Sequence, residues 1–485
     1  MYDVVIIGCG IVGAATAYEL SKYQLKVLIL EAENDVSMGA TKANSAILHA
    51  GFDPEPGTLM AKLNVEGAAR AKELCQKLSV HYHQIGSLVA AFSKEELAVI
   101  QELYARGLKN GVSELQMVDK EELLEMEPGL SHRALGALYA PTAAVVNPWE
   151  LCLALTETAV VNGVELSLNN KVKEISRRES GYQITAEKGI YQIKYVFNAA
   201  GVYSDAVHNM VAEPDFEIVP SRGEYYLLDK SEGSVVSHII FQCPSNVGKG
   251  VLVSPTVHGN LIVGPNAEEV SKTELGSGMD TGNTVKGLRQ VSELAKKTVP
   301  DLNLRRSIRN FSGIRANSTK KDFIIQEAAP GFIDLAGIKS PGLTSAPAIA
   351  LYGIRLLEQS IGRTFQLKAQ STDTREKIVF QELTIEEKNK LIQKDSSYGR
   401  VICRCEMITE GEIRAAVHSA VVPASVDGIK RRCNAGMGRC QGGFCGPRVV
   451  EILADELGKS PLEILQDHTS SYVLTEATKG GLEHA

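Results

Sequence analysis

The first thirteen residues contain the pattern that most constrains the fold. The run "DVVIIG" at 3–8 is apolar and rich in β-branched residues, which is typical of a strand buried on both faces of a parallel sheet. Gly8, Gly10 and Gly13 follow at the GxGxxG spacing, and the next residues have helical periodicity. Gly8 permits a tight turn, Gly10 lets the backbone approach a pyrophosphate, and Gly13 lets the helix pack closely on the strand. The pattern predicts a dinucleotide-binding unit.

A second strand supports this prediction. The run "KVLILE" ends at Glu31, eighteen residues after Gly13, where a carboxylate can accept both ribose hydroxyls and would repel a 2′-phosphate. We expect the phosphates at the start of the helix, near Ile11 and Val12, where backbone N–H groups are unpaired. Together these elements predict FAD or NAD binding; the alternative is a glycine-rich structural turn.

A dinucleotide-binding unit accounts for only part of this chain. At 485 residues the chain is long enough for two to four domains, and 44% hydrophobic with 22% charged residues is typical of a globular enzyme. A formal charge of -7 without a long basic run argues against a nucleic-acid partner. Neither a secretory signal nor an apolar run of membrane-spanning length is visible. We therefore expect a cytoplasmic protein, which could reach the inner face of a membrane through a partner.

The cysteines are concentrated near the end of the chain. Five of nine lie between Cys403 and Cys445, and in a compartment that keeps thiols reduced such crowding predicts a metal site. Cys403 and Cys405 form a CxC pair, and after 34 residues Cys440 and Cys445 form a CxxxxC pair within "GMGRCQGGFCG". Glycines let backbone N–H groups approach sulfur, which favours a [2Fe–2S] cluster. The alternative is structural zinc, which usually uses CxxC pairs.

Later segments bear on the choice between FAD and NAD. They are "GATKANSAILHAGF", "YVFNAAGVYSDAV" and "FIDLAGIKSPGLTSAPAIALYGIRLL". With them, residues 1–360 resemble the FAD-dependent oxidoreductases of the D-amino-acid oxidase and glycerol-3-phosphate dehydrogenase superfamily. The runs "NSAILHAGFDPEPGTLMAKLNVEGA" and "PSRGEYYLLD" are similar to the branch with anaerobic-type glycerol-3-phosphate dehydrogenases and L-2-hydroxyglutarate dehydrogenases. The cysteine segment resembles the BFD-like [2Fe–2S] domain, and Cys433 departs from its four-ligand pattern.

These resemblances imply an α/β fold with three parts: a Rossmann-type FAD-binding domain made of separated segments, a mixed-sheet substrate domain and a small helical [2Fe–2S] domain. The expected ranges are 1–81, 146–212 and 313–360 for the FAD-binding domain, 82–145 and 213–312 for the substrate domain, 361–398 for a linker, 399–460 for the [2Fe–2S] domain and 461–485 for a tail.

The flavoprotein resemblance also implies cofactor contacts. Asn44 and Ser45 would line the phosphates, Val172 would contact adenine, and a helix beginning near Ser345 would direct its positive end at the flavin ring. A plain strand-to-helix turn is the alternative for residues 342–346. The remaining implied FAD contacts are Thr41, Ala200, Gly201, Gly337, Gly342, Leu343 and Thr344.

Candidate substrate residues follow from the same resemblance. Arg315 and Lys339 match residues that meet the substrate in the glycerol-phosphate dehydrogenases, and Arg222 and Lys249 also stand at motif positions. Each of the four is otherwise a surface charge. His49 is the candidate base, because imidazole titrates near neutrality and could take a hydroxyl proton while hydride moves to the flavin. A structural histidine is its alternative.

Both cofactors fit one electron path. FAD accepts a hydride, and an iron–sulfur cluster passes electrons singly. We therefore expect a dehydrogenase that passes electrons to an accepting protein, which could be a second flavoprotein, or toward a quinone. Glycerol 3-phosphate is the expected substrate. The alternatives are an L-2-hydroxyglutarate or related 2-hydroxy acid dehydrogenase, and an electron-transfer subunit without its own substrate.

Overall fold

The computed structural model describes residues 1–244, 250–271 and 281–476. Its strands are β1 Tyr2–Ile7, β2 Val27–Leu30, β3 Ile47–Leu48, β4 Tyr82–Gln84, β5 Ser87–Ala91, β6 Gln116–Asp119, β7 Gly136–Ala140, β8 Ala144–Val146, β9 Glu165–Ser167, β10 Val172–Arg178, β11 Gly181–Ala186, β12 Gly189–Asn198, β13 Ile218–Leu228, β14 Ile239–Gln242, β15 Leu252–Pro255, β16 Leu261–Gly264, β17 Glu268–Glu269, β18 Ser307–Ser318, β19 Ile324–Ala329, β20 Phe332–Ala336, β21 Val401–Cys403 and β22 Ile408–Thr409. Its α-helices are α1 Ile11–Leu20, α2 Leu59–Lys77, α3 Lys94–Lys109, α4 Lys120–Met126, α5 Pro148–Val161, α6 Ser204–His208, α7 Val285–Thr298, α8 Gly342–Ile361, α9 Ile385–Lys394, α10 Glu410–Val417, α11 Val426–Cys433 and α12 Gly446–Leu457.

The first sheet is assembled from three separated segments of the chain. Strands β9, β2, β1, β12 and β20 lie side by side and run parallel, while β10, β11 and β19 add antiparallel pairs. In β1, Val4 and Ile6 pack with α1, α5 and α8, whereas Val5 and Ile7 pack on the opposite face. The strand is thus buried on both faces, as its apolar run predicts. The Rossmann-type domain built from separated segments is confirmed.

The second sheet has nine strands. The pieces β5–β7 and β13–β18 join where β14 pairs in parallel with β5. Strand β18 pairs with β13 from the Ile218–Ser318 pair to the Leu228–Ser307 pair. The predicted boundary at 312/313 therefore falls inside β18, which belongs wholly to this sheet because its ladder with β13 is continuous apart from one bulge.

The end of the chain forms a small helical unit with its own core. Ile413, Ile429 and Leu453 from α10, α11 and α12 are buried together beside the β21–β22 hairpin. The preceding segment, predicted as a linker, lies against α5: Arg375 Nε pairs with Glu157 at 2.6 Å, and Lys377 pairs with Glu150. Within the described ranges, no helix combines the length and apolar character needed to cross a membrane.

Candidate cofactor and active site

A large cavity of ≈ 1560 Å³ lies where the two large sheets meet. Pockets for a single drug-sized ligand measure about 300–1,000 Å³, so this cavity has room for an extended cofactor and a small substrate. Two parts of its wall are distinguished by the elements that supply them: Glu31 and Val172 belong to strand ends of the first sheet, whereas Arg315 lies on β18 of the second sheet and His49 and Lys339 lie in loops. Most of the predicted cofactor residues also line it: Gly8, Gly10, Ile11, Val12, Thr41, Asn44, Ser45, Ala200, Gly201, Gly342 and Leu343.

The glycine-rich turn fits a bound pyrophosphate. Gly8 has φ +95°, and a Cβ there would lie 2.7 Å from the Ala199 carbonyl oxygen. At Gly13 a Cβ would lie 2.0 Å from the Gly8 carbonyl oxygen, which excludes any side chain between helix and strand. Helix α1 begins at Ile11 without a side-chain cap from Gly10. Its first amides therefore face the cavity as a site for anionic groups, and Thr41 Oγ1 accepts one of them at 2.9 Å.

Glu31 lies at the end of β2, as predicted. Its Oε2 accepts the Cys9 N–H at 2.6 Å and its Oε1 accepts the Glu33 N–H at 2.9 Å. Burial raises the pKa of this carboxyl to about 7. Two backbone bonds hold it in one orientation on the cavity wall, and ribose hydroxyls could donate to the remaining lone pairs.

Three of the predicted cofactor residues, Gly13, Gly337 and Thr344, do not line the cavity themselves. Gly13 lies in the first turn of α1, directly after the glycine-rich turn. Gly337 has φ +62°, and a Cβ placed there would lie 2.9 Å from Ser318 Oγ. Thr344 Oγ1 accepts the His49 N–H at 2.8 Å.

Helix α8 begins at Gly342 and not near Ser345, because the chain turns into the helix directly after Pro341. Both N–H groups of Asn44 donate within its own loop, to Ala40 and Thr41 carbonyls.

Arg315 and His49 occupy the second part of the cavity. The Arg315 guanidinium contacts the Asn266 carbonyl at 3.4 Å from two nitrogens. It lies over Gly223 on the neighbouring strand, where a Cβ would be 2.5 Å from Nη2, so Gly223 makes room for this arginine. His49 Nε2 is 3.3 Å from Ser340 Oγ, and its ring stacks on Phe241. Sequence reasoning missed Gly223, whose role depends on strand register.

The other two candidate cations are Arg222 and Lys249. Arg222 follows Ser221 on β13, and only Ser221 of the two lines the cavity, because successive side chains of a strand point to opposite faces. Arg222 pairs with Glu268 at 3.0 Å. The structure thus does not bring Arg222 to the candidate site. Lys249 lies outside the described residues.

The four predicted ligand cysteines form two pairs. Cys405 and Cys440 have their sulfurs 3.7 Å apart, and the hydrogen bond from Cys445 lowers the pKa of Cys403 to about 6, with the Gly436 N–H acting in the same direction at 3.5 Å. A thiolate is the form that binds metal.

This pairing bears on the choice of metal. A [2Fe–2S] cluster takes two thiolates on each iron, whereas structural zinc needs four ligands around one ion. Across residues 1–244, 250–271 and 281–476, no three or more His, Cys, Asp or Glu side chains are grouped to hold a single ion. Two thiol pairs therefore fit the two-iron cluster better. Cys433 lies in neither pair: it is buried, and its thiol donates to the Ile429 carbonyl at 3.4 Å.

Local features predicted in this region are present. Thr409 and Glu412 form a reciprocal capping box at the start of α10, and Pro447 lies in the first turn of α12. A Cβ on Gly438 would lie 2.2 Å from Cys405 Cβ, so this glycine is needed for the two cysteine loops to meet.

One stretch of the cavity wall was not predicted from the sequence. His468, Thr469 and Ser470, from the segment predicted to be a tail, line the cavity together with Lys459 and Leu465. All five follow α12, so residues far from the glycine-rich turn contribute to the same cavity.

A dinucleotide cavity between two sheets, beside a four-cysteine domain, defines a flavin-dependent oxidoreductase with an iron–sulfur domain. Residues 3–355 match the family model described as FAD dependent oxidoreductase, and residues 401–455 match the BFD-like [2Fe-2S] binding domain. The chain belongs to the FAD dependent oxidoreductase family. FAD and a [2Fe–2S] cluster are its cofactors.

Known proteins resemble the chain to different extents. It is 51% identical, over 100% of both chains, to the glycerol 3-phosphate dehydrogenase of Caloramator mitchellensis. It is 34% identical to the human mitochondrial L-2-hydroxyglutarate dehydrogenase, over 56% of this chain and 62% of that protein. A solved structure of the dithionite-reduced, FAD-bound L-alpha-glycerophosphate oxidase of Mycoplasma pneumoniae matches with a TM-score of 0.73 at 31% identity, covering 78% of this chain and 99% of the oxidase.

Proposed function

We propose that this enzyme oxidises sn-glycerol 3-phosphate to dihydroxyacetone phosphate and passes the electrons to a protein partner through its [2Fe–2S] cluster. The observation that carries the proposal is that Arg315, Lys339 and His49 line the same cavity, with His49 Nε2 3.3 Å from the hydroxyl of Ser340, the residue after Lys339. Two cations beside an imidazole suit a phosphate next to a secondary alcohol. The dehydrogenase that is 51% identical to the whole chain supports this substrate.

Each of these residues has a separate role in the proposed reaction. Arg315 and Lys339 bind the phosphate, because guanidinium and ammonium groups form charge-assisted hydrogen bonds with its oxygens. His49 accepts the proton of the substrate hydroxyl at Nε2, the nitrogen that faces Ser340. Thr344 fixes the His49 backbone and Phe241 supports its ring. When bound, FAD supplies the acceptor for the hydride of the carbinol carbon.

The residues proposed to hold FAD are those predicted from the sequence. The turn at Gly8, Gly10 and Gly13 with Ile11 and Val12 would take the pyrophosphate, and Glu31 the ribose. The remaining proposed contacts are Thr41, Asn44, Ser45, Val172, Ala200, Gly201, Gly342 and Leu343, and Gly337 and Thr344 would support the site from behind.

The C-terminal domain provides the electron exit. We assign Cys403, Cys405, Cys440 and Cys445 as the cluster ligands, which supplies a one-electron carrier. The oxidase structure is covered almost whole by 78% of this chain, so about a fifth of the chain has no counterpart in it. An enzyme that gives electrons to oxygen at the flavin has no need of a second cofactor. We place the protein in the cytoplasm, where partners could bring it to the inner membrane face.

Anaerobic flavin bleaching tests the substrate. Purified enzyme is mixed without oxygen with glycerol 3-phosphate, L-2-hydroxyglutarate or glycerol, and flavin absorbance is followed. We expect rapid bleaching by glycerol 3-phosphate and little by glycerol, because glycerol lacks the anion that the two cations bind. Bleaching by L-2-hydroxyglutarate instead would assign the enzyme to 2-hydroxy acids. Bleaching by none would indicate a subunit that receives electrons from another protein.

A further inference from the structure

The last described part of the chain forms a tight turn, residues 467–471, which we name the C-terminal turn. Ser471 Oγ accepts the Asp467 N–H at 2.9 Å, and Leu465 bridges to Tyr472 just outside the turn. Ser470 has φ +71°, a left-handed conformation that is uncommon for serine and is found where surrounding structure enforces it. The turn therefore has one defined shape.

The tip of the C-terminal turn forms part of the cofactor cavity. His468, Thr469 and Ser470 line it. Thr469 Oγ1 donates to Asn169 Oδ1 at 3.2 Å, and Asn34 Nδ2 donates to the Asp467 carbonyl at 2.8 Å. Asn34 and Asn169 themselves line the cavity, and the Asn169 N–H donates to the Glu33 carbonyl at 2.8 Å. The turn thus lies beside the segment that contains Glu31.

Buried ion pairs connect this turn to both domains. Arg431 on α11 pairs with Asp467 at 2.7 Å and with Asp35 of the FAD-binding domain at 2.9 Å. Asp467 also pairs at 2.8 Å with Lys42, the residue after Thr41, whose hydroxyl accepts the Ile11 N–H at the start of α1. Asp35 and Arg431 are 1% and 7% exposed. Arg431 therefore holds the turn and the cofactor loop in one arrangement.

From these contacts we infer that the C-terminal turn is part of the FAD site and binds the adenosine half of the cofactor. Its imidazole and hydroxyl groups at 468–470 are donors and acceptors suited to ribose and adenine. Because Arg431 belongs to the [2Fe–2S] domain and pairs with Asp467 of the turn that follows it, correct folding of that domain strengthens FAD binding, and FAD binding strengthens its docking by the same factor. The inference rests on the cofactor and is independent of the proposed substrate.

Ligand fragments separate this role from general stabilisation. Full-length protein freed of flavin is incubated with ADP, FMN or FAD, and hydrogen exchange is measured for the peptide covering 465–473. We expect ADP and FAD to slow exchange of the turn amides at least tenfold and FMN to leave them unchanged, since FMN lacks the adenosine half. Equal exchange with and without ADP would overturn the inference.

A substitution gives the matching affinity test. Asp467→Asn keeps the size of the side chain but removes the charge that pairs with Arg431 and Lys42. We expect it to weaken ADP and FAD binding at least tenfold and to leave FMN binding unchanged, with the iron–sulfur spectrum retained. Glu451→Gln removes an exposed carboxylate of α12 as a control. Wild-type FAD affinity in Asp467→Asn, or equal loss of FMN and ADP binding, would contradict the inference.

A milder variant covers the case in which Asp467→Asn fails to fold. Thr469→Ala removes the hydroxyl that donates to Asn169 and leaves the ion pairs intact. We expect a smaller loss of ADP affinity, about threefold to tenfold. Unchanged ADP affinity in this variant, together with unprotected turn amides in the wild type, would likewise refute the assignment. None of these measurements uses glycerol 3-phosphate, so they remain informative if the proposed substrate is wrong.

Discussion

Arg315 is the residue through which the proposed anion site can be tested most directly. Its side chain lines the cavity, and among residues 1–244, 250–271 and 281–476 its guanidinium hydrogen-bonds to one carbonyl, that of Asn266, at 3.4 Å. A guanidinium has five N–H donors, so most of its donors remain for a bound anion. Arg315→Ala removes the charge and the donors while leaving the β13–β18 backbone ladder in place.

The expected loss follows from the burial of the anion. Truncating one partner of a buried, hydrogen-bonded charge pair costs about 2–5 kcal/mol, and each 1.4 kcal/mol is tenfold in affinity. Glycerol 3-phosphate should therefore bind at least about 30-fold more weakly. FAD content should stay at the wild-type level, because Glu31 and the glycine-rich turn lie in the other part of the cavity.

Anaerobic stopped-flow reduction over a range of glycerol 3-phosphate concentrations measures this effect. Arg222→Ala is the matched comparison, because Arg222 stands on the neighbouring strand, away from the cavity and already paired with Glu268. We expect its flavin reduction to be within about threefold of wild type. A near-normal Arg315→Ala enzyme with full FAD, or equal losses in both variants, would refute the anion site.

Three further predictions concern other parts of the molecule. Gly223→Ala should weaken glycerol 3-phosphate binding at least tenfold without loss of FAD, because the new Cβ would displace the Arg315 guanidinium; equilibrium binding to the oxidised enzyme measures it. Cys440→Ser should lose the iron–sulfur spectrum and its iron, whereas Cys433→Ser should keep both; stoichiometric zinc in the wild type would contradict this. Burial favours a raised pKa for Asp35, but its two arginine partners hold that pKa at about 2, below its ordinary value of 3.8. The pairs therefore stabilise the fold above about pH 4: the Tm gap between wild type and Asp35→Asn should be widest there and close as the pH falls toward 2.

Features confined to short stretches of sequence could be predicted. The Gly8 turn, Glu31 at the end of its strand and the Thr409–Glu412 capping box depend on residues within one βαβ unit or one helix turn. Backbone conformation and hydrogen-bond reach fix their spacing, so the spacing itself carries the information. The CxC and CxxxxC spacings are local in the same way, but the pairing of Cys405 with Cys440 and of Cys403 with Cys445 joins two distant loops, and the spacings do not predict it.

Features set by distant contacts could not be predicted. Arg222 and Arg315 both lie in strand segments with a nearby serine and glycine, yet of the two only Arg315 lines the cavity. The alternation of side chains along each strand and the register between β13 and β18 decide which face of the sheet each arginine occupies. Arg431 and Arg432 belong to a basic run typical of an exposed helix face. The structure buries both, because Asp35 lies against them from almost 400 residues away.

The same buried contacts bear on how electrons could leave the flavin. Two further ion pairs, Lys230–Glu406 and Arg439–Asp229, join the cysteine loops to the substrate domain at 2.9 Å each, and their cations are 46% and 67% exposed. The Asp35 pairs are different, because breaking a buried pair leaves an uncompensated charge and costs about 3–5 kcal/mol. The Asp35 pairs thus restrain the cluster domain against the FAD-binding domain, which suits the proposed passage of electrons from one domain to the other.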